Sequence, residues 1–251
     1  MKSNKDRIQD LKNNGYSLNF ETVFNLAFEN YKKIALYAGL LLLVITFLFG
    51  IAAFFVIAFS YGLDNFQELM KPENLKPENF SETFIITYII SITLFSCLIG
   101  PFFAGLLKMA HYAQIDNEFH VSNVFDYYKS PYFKEIFIAT FIISTLNMGI
   151  SSIFESTGIP LLGFIATLSI TFLSILAVPL IIFSDFKAVE AINSSFTLVL
   201  KKPLTLLGLI VIAYLYCLTG LFFFFIGLFF ALPFLYSMNY AIYRTIIGFN
   251  E

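Results

Sequence analysis

Residues 203–243 read PLTLLGLIVIAYLYCLTGLFFFFIGLFFALPFLYSMNYAIY, 41 positions without a single Asp, Glu, Lys, Arg or His. A helix crosses a hydrocarbon core of about 30 Å with about 20 residues. The run is too long for one crossing and right for two, with a turn expected near Gly220–Gly227. It lacks the alternation of apolar and polar residues that marks a membrane β-strand. It therefore predicts a pair of spanning helices.

Four more uncharged runs lie upstream, at 34–63 (30 residues), 83–107 (25), 136–154 (19) and 156–184 (29). Each predicts one span, so the chain is expected to cross six times. The composition agrees. Charged residues make up 13% of the 251, where a soluble domain carries about 25%. The expected fold is an all-α polytopic membrane protein forming one domain over 1–251, with hairpins at 34–107, 136–184 and 203–243. Residues 1–33 are polar, so no cleavable leader is expected. A net charge of −2 leaves no basic surplus for a phosphate backbone, which excludes nucleic acid as a partner.

Lys and Arg set the orientation. With six spans both ends share one side. That side carries 13 of the 15 basic residues, and the outer side carries only Lys71 and Lys76. Both termini are expected in the cytoplasm, with the protein in an inner membrane. The outer loop, 64–82, repeats KPENL as KPENF over 71–80. Its prolines and acidic residues predict a solvated loop, and Asn79-Phe80-Ser81 matches a glycosylation acceptor.

A unit recurs three times. Before each odd-numbered span stands an amphipathic stretch ending near lysine: 20–36, 121–138 and 188–207. Phe20, Phe24, Ala27, Tyr31 and Ile34 share a helical face in the first. Val121, Val124, Phe125, Tyr128 and Tyr132 do so in the second, with Pro131 breaking the helix near its end. Val189, Ile192, Phe196 and Val199 do so in the third. Each even-numbered span holds a proline, Pro101, Pro179 or Pro233. Proline kinks a span and frees a carbonyl for a neighbouring helix to satisfy. The pattern reads as a divergent threefold repeat of lead-in helix, span, turn and kinked span. Small residues at Ala35 and Gly39, Gly100 and Ala104, and Gly158 and Gly163 favour close helix contact.

Few residues carry chemistry. Cys97 and Cys217 lie in apolar runs and read as buried small hydrophobes. His111 and His120 share one loop with Asp116, Glu118 and Asp126, but nine residues apart they are not a helical metal pair. No catalytic set and no cofactor or metal motif is legible. Asp185, Glu190, Asn193 and Arg244 form a candidate polar cluster under the spans. Asn147, deep in the third span, is a candidate for a helix contact or for lining a pathway.

Residues 179–213, PLIIFSDFKAVEAINSSFTLVLKKPLTLLGLIVIA, followed by Gly220, Gly227 and Pro233, resemble a family of six-span bacterial membrane proteins. That family is similar to the membrane domain attached to some glycerophosphodiester phosphodiesterases. The shared pattern is a proline-bearing span, Asp185, Glu190-Ala191 and Ser195 on a short helix, then lysines and the next hairpin. The clear match covers about the last 80 residues, the rest matching in layout. The resemblance implies the fold and location, not a reaction, because these 251 residues are not expected to hold a hydrolytic domain as well. Some relatives are named β-carotene 15,15′-monooxygenase, a chemistry that relies on several histidines where this chain has two. The expected role is a non-catalytic scaffold, lipid-contacting or regulatory component in the bilayer, with a membrane-protein partner or a second copy. The alternative is a permease for an apolar or lipid-like solute, and the remote alternative is an intramembrane enzyme.

Overall fold

The computed structural model describes residues 4–61, 71, 73, 80–118 and 120–248. Most of the outer loop, including the first KPEN copy's close and Asn79, lies outside the described residues. Among those described there are helices and no strand. Six stretches are long and apolar enough to cross a membrane: Phe20–Val56, Glu82–Gln114, Tyr132–Ser156, Pro160–Ser184, Pro203–Phe223 and Ile226–Ile247. The 41-residue run divides where the glycines stand. Gly220–Phe223 tightens into a 3-10 turn, and Phe224 and Phe225 then take left-handed backbone before the sixth span begins.

The helices are α1 (Asn4–Asn14), α2 (Phe20–Tyr61), α3 (Glu82–Gln114), α4 (Tyr132–Ser156), α5 (Pro160–Leu173) and α6 (Ala177–Ser184). There follow α7 (Ala188–Val199), α8 (Pro203–Thr219), α9 (Ile226–Ala231) and α10 (Pro233–Ile247). The fourth span is α5 plus α6, and the sixth is α9 plus α10. Both breaks fall at the prolines. Ser174–Leu176 are turn residues just before Pro179, and Leu232 interrupts the helix just before Pro233. Pro101 instead lies inside the unbroken α3.

The three lead-in stretches take three forms. The first is continuous with its span in the 42-residue α2, because no proline separates them. The second is a 3-10 helix, Val121–Tyr128, closed off ahead of Pro131. The third is the separate helix α7, stopped by Lys201-Lys202-Pro203. The second differs from the α-helical face read from sequence. A 3-10 helix has three residues per turn, so Val124 and Tyr127 are the buried pair while Phe125 and Tyr128 stay exposed.

Odd and even spans play different parts. In their most apolar windows, spans two, four and six are 39%, 39% and 50% buried, against 11%, 11% and 28% for spans one, three and five. The proline-bearing spans therefore form an inner triad, with the odd spans outside it. Each lead-in segment lies on the inner span that precedes it, and the first lies on the last. Val124 crosses α3 so closely that a Cβ on Gly105 would overlap the Val124 carbonyl oxygen. In α7, Ser195 reaches the break of the fourth span. Phe24, Phe28 and Tyr31 of α2 surround Phe234 of α10, with ring centroids 5.4–6.2 Å apart. The start of the first span thus packs against the last span.

The N-terminal segment adds an element that the sequence reading treated only as polar. α1 buries Ile8 completely in the core. Its Lys5 pairs with Glu190 on α7 at 3.2 Å, and its Arg7 lies against Gly248.

Candidate functional site

At the charged end of the triad each inner span contributes one ring. His111 of α3, Phe183 of α6 and Tyr240 of α10 meet with centroids 5.3–5.6 Å apart. His111 Nδ1 and the Tyr240 hydroxyl share a hydrogen bond of 2.9 Å. Beside them the Ser184 and Tyr243 hydroxyls bond at 2.7 Å, both side chains buried. Tyr240, Tyr243, Leu180, Ile181 and Met109 are fully or almost fully buried around this hub. A buried hydroxyl without a partner is costly, so each of these polar tips being paired lets the centre pack densely.

The Ser184–Tyr243 bond also brings their neighbours Asp185 and Arg244 to one place. Asp185, Arg244 and Arg7 all stand near enough to act on the Tyr243 hydroxyl. Asp185 ends α6 in left-handed backbone and accepts a hydrogen bond from the Tyr132 hydroxyl. Glu190 goes elsewhere, to Lys5. Asn193 is exposed, and its carbonyl accepts from Thr197. The two histidines part as well. His111 serves the hub, while His120 precedes the 3-10 segment, where its backbone N–H donates to Asn123 Oδ1 at 2.7 Å. Among the described residues no three His, Cys, Asp or Glu side chains converge as metal ligands.

Close to each of the three prolines Pro101, Pro179 and Pro233, a side chain from another element bonds a backbone group of the span. Near Pro101 the Tyr128 hydroxyl donates to the Leu98 carbonyl at 2.9 Å. At the break before Pro179 the Ser195 hydroxyl donates to the Leu173 carbonyl at 2.6 Å and accepts from the Leu176 N–H at 3.0 Å. Beside Pro233 the Cys217 thiol donates to the Ala231 carbonyl at 3.3 Å. Hydrocarbon offers no water to serve such groups, so the protein must. These roles for Tyr128, Ser195 and Cys217 were not read from the sequence. Ser195 stood out there only as one of the residues on which the resemblance was drawn.

Lys108 Nζ of α3 donates to Asp126 Oδ2 on the 3-10 segment at 2.7 Å and holds that carboxyl below the usual carboxylate range. On α4, Glu135 accepts the Ala188 N–H at 2.8 Å and so satisfies a free donor at the start of α7.

One lateral cleft has apolar walls with a few polar residues among them. It lies between α5, α8 and α10, with a volume of about 400 Å³. Leu168, Ile175, Leu207 and Val211 make apolar walls, and Thr171, Tyr214, Tyr236 and Asn239 bring polar atoms to it. Asn147, the polar residue of the third span, donates to Thr171 Oγ1 at 3.3 Å. It therefore makes a helix contact next to this cleft.

No protein-family model, curated protein or solved structure matches the chain.

Proposed function

We propose that this six-span protein is a non-catalytic, lipid-contacting component of an inner membrane, acting as a scaffold or regulatory part with both termini in the cytoplasm. The observation that carries the reading is the filled centre of the triad. His111, Phe183 and Tyr240 occupy the axis at the charged end, ring on ring. Solute conduction along that axis would require the packed rings to part, whereas the outer spans leave broad apolar surface to lipid. The resemblance of residues 179–213 to a six-span bacterial family supports the same placement, and a membrane-protein partner or a second copy fits a scaffold.

Proteoliposomes test it. Entrapped small solutes and labelled lipids should cross no faster with the protein than without it. Flux above the protein-free rate would replace this reading with the permease, for which the lateral cleft between α5, α8 and α10 offers a place to enter. In the same vesicles, C-terminal and N-terminal tags should sit on one face, and protease should reach both or neither.

A further inference from the structure

Between the linker that follows α1 and the turn that precedes α8 lies a polar cavity of about 540 Å³, lined by Asn14, Gly15, Tyr16, Ser17, Lys201 and Lys202. Small-molecule sites commonly hold about 300–1,000 Å³. The two rims are tied together. The Leu198 carbonyl accepts from the Tyr16 hydroxyl at 2.8 Å and from the Lys201 N–H at 3.1 Å. Gly15 takes left-handed backbone on the opposite rim, and a Cβ there would meet only open space.

The charge of the lining sets the ligand. Lys201 and Lys202 are its two charged residues, and no carboxylate lines it. Glu21, on the first turn of α2, stays outside the lining. Elsewhere on the charged side Lys5, Lys32, Lys33 and Lys108 each pair with a carboxylate. Lys201 and Lys202 pair with none among the described residues. Two ammonium groups beside the Ser17 hydroxyl and the Asn14 amide fit a phosphate ester, whose ionised oxygens only accept.

Position decides what carries that phosphate. Lys202 directly precedes α8, so the cavity sits at the charged end of the fifth span, where lipid headgroups lie. Below it the surface turns apolar. Leu204 is 83% exposed, and Gly208, one turn further along the same face, lies against Phe20 of α2. A free phosphate makes no use of that strip, whereas a phospholipid lays an acyl chain along it. Basic pockets between spanning helices hold anionic headgroups in this way.

Resting on the lipid-contacting reading above, we propose that this cavity binds the phosphate of one anionic phospholipid. Lys201 and Lys202 are its counter-charges, and an acyl chain runs along Leu204 and Phe20.

Native mass spectrometry of the full chain in mild detergent tests the site. The probes are dioleoyl phosphatidylglycerol, dioleoyl phosphatidylcholine and dioleoylglycerol, which share their acyl chains, and inorganic phosphate. Phosphatidylglycerol should be retained at one per chain. Phosphatidylcholine, whose ammonium faces the lysines, and dioleoylglycerol, which has no phosphate, should bind at least tenfold more weakly. A Lys201→Gln, Lys202→Gln double variant should lose phosphatidylglycerol by about twenty-five-fold, fivefold for each charge. The Arg pair at the same positions should restore it, and Ser17→Trp, which fills the cavity, should lose it with both lysines in place. A Lys129→Gln, Lys134→Gln protein removes the same charge from exposed sites outside this cavity and should keep the lipid. Equal retention of the three lipids, or equal loss in the two double Gln variants, overturns the assignment. Inorganic phosphate that binds one per chain and displaces the lipid overturns the lipid as its carrier. Flux in the vesicle assay would overturn the broader reading instead, so the two failures are told apart.

Discussion

Ser195 shows how much one hydroxyl does in this fold. It bridges both sides of the interruption before Pro179, giving to Leu173 and taking from Leu176. Removing it strands two main-chain groups in a buried place, so Ser195→Ala should lower stability by about 1–2 kcal/mol. Asn193→Ala, two positions away and exposed, is the control. Denaturant unfolding in mild detergent measures both, and equal midpoints would refute the role. Asp126 gives a pH signature. Its folded carboxyl titrates below its unfolded value, so the Lys108 contact stabilises above about pH 4 and is lost as the pH falls through the lower, folded value. Both groups are partly exposed, which limits the effect to about 1 kcal/mol or less. Asp126→Asn should flatten this acid limb of the thermal-stability profile, and an unchanged limb would assign it to other carboxylates.

At the scale of elements, the crossing of the 3-10 segment over α3 depends on Gly105. A methyl there would overlap the Val124 backbone, and backbone has nowhere to swing. Gly105→Ala should therefore destabilise by about 1–3 kcal/mol despite alanine's better helix propensity. Gly50→Ala, in open space on α2, should be neutral or mildly stabilising. Thermal melts of the pair decide this, and a harmless Gly105→Ala would mean that the crossing is loose. The six spans were legible in the sequence because their signal is composition and length, and the turn at Gly220–Gly227 fell where two crossings require it. The lead-in segments were legible in position but not in form. Whether such a stretch fuses with its span, tightens to three residues per turn or stands apart depends on what it packs against. Hence Tyr127, not Tyr128, proved to be the buried partner of Val124.

Across the whole molecule, the inner triad explains why the candidate residues were only partly readable. The sequence marks Asp185 and Arg244 as polar residues at span ends, and the Ser184–Tyr243 bond brings them to one neighbourhood. Glu190 is drawn off by Lys5, a residue 185 positions away, which no local pattern announces. His111 read as a loop residue but is a ring of the central hub, because α3 runs on through Gln114. The hub predicts coupling between spans. His111→Leu leaves the Tyr240 hydroxyl without its partner, and Tyr240→Phe removes that hydroxyl. The double variant should cost less than the sum of the singles, by about 0.5–1.5 kcal/mol. Strict additivity in a double-mutant cycle would show that the two side chains act independently.

The meeting of α1 with the end of α10 has a further consequence. Arg7 lies on Gly248, while the link between the first two spans is the loop that follows Tyr61, the end of α2, and precedes Glu82, the start of α3. A short linker could therefore join the two ends, with a new opening cut in that loop. The chain would then start on the opposite face and present its spans in the order two to six, then one. Every contact described above would remain available. Such a permutant would separate what packing dictates from what the sequence of membrane insertion dictates, since it keeps the first and rearranges the second.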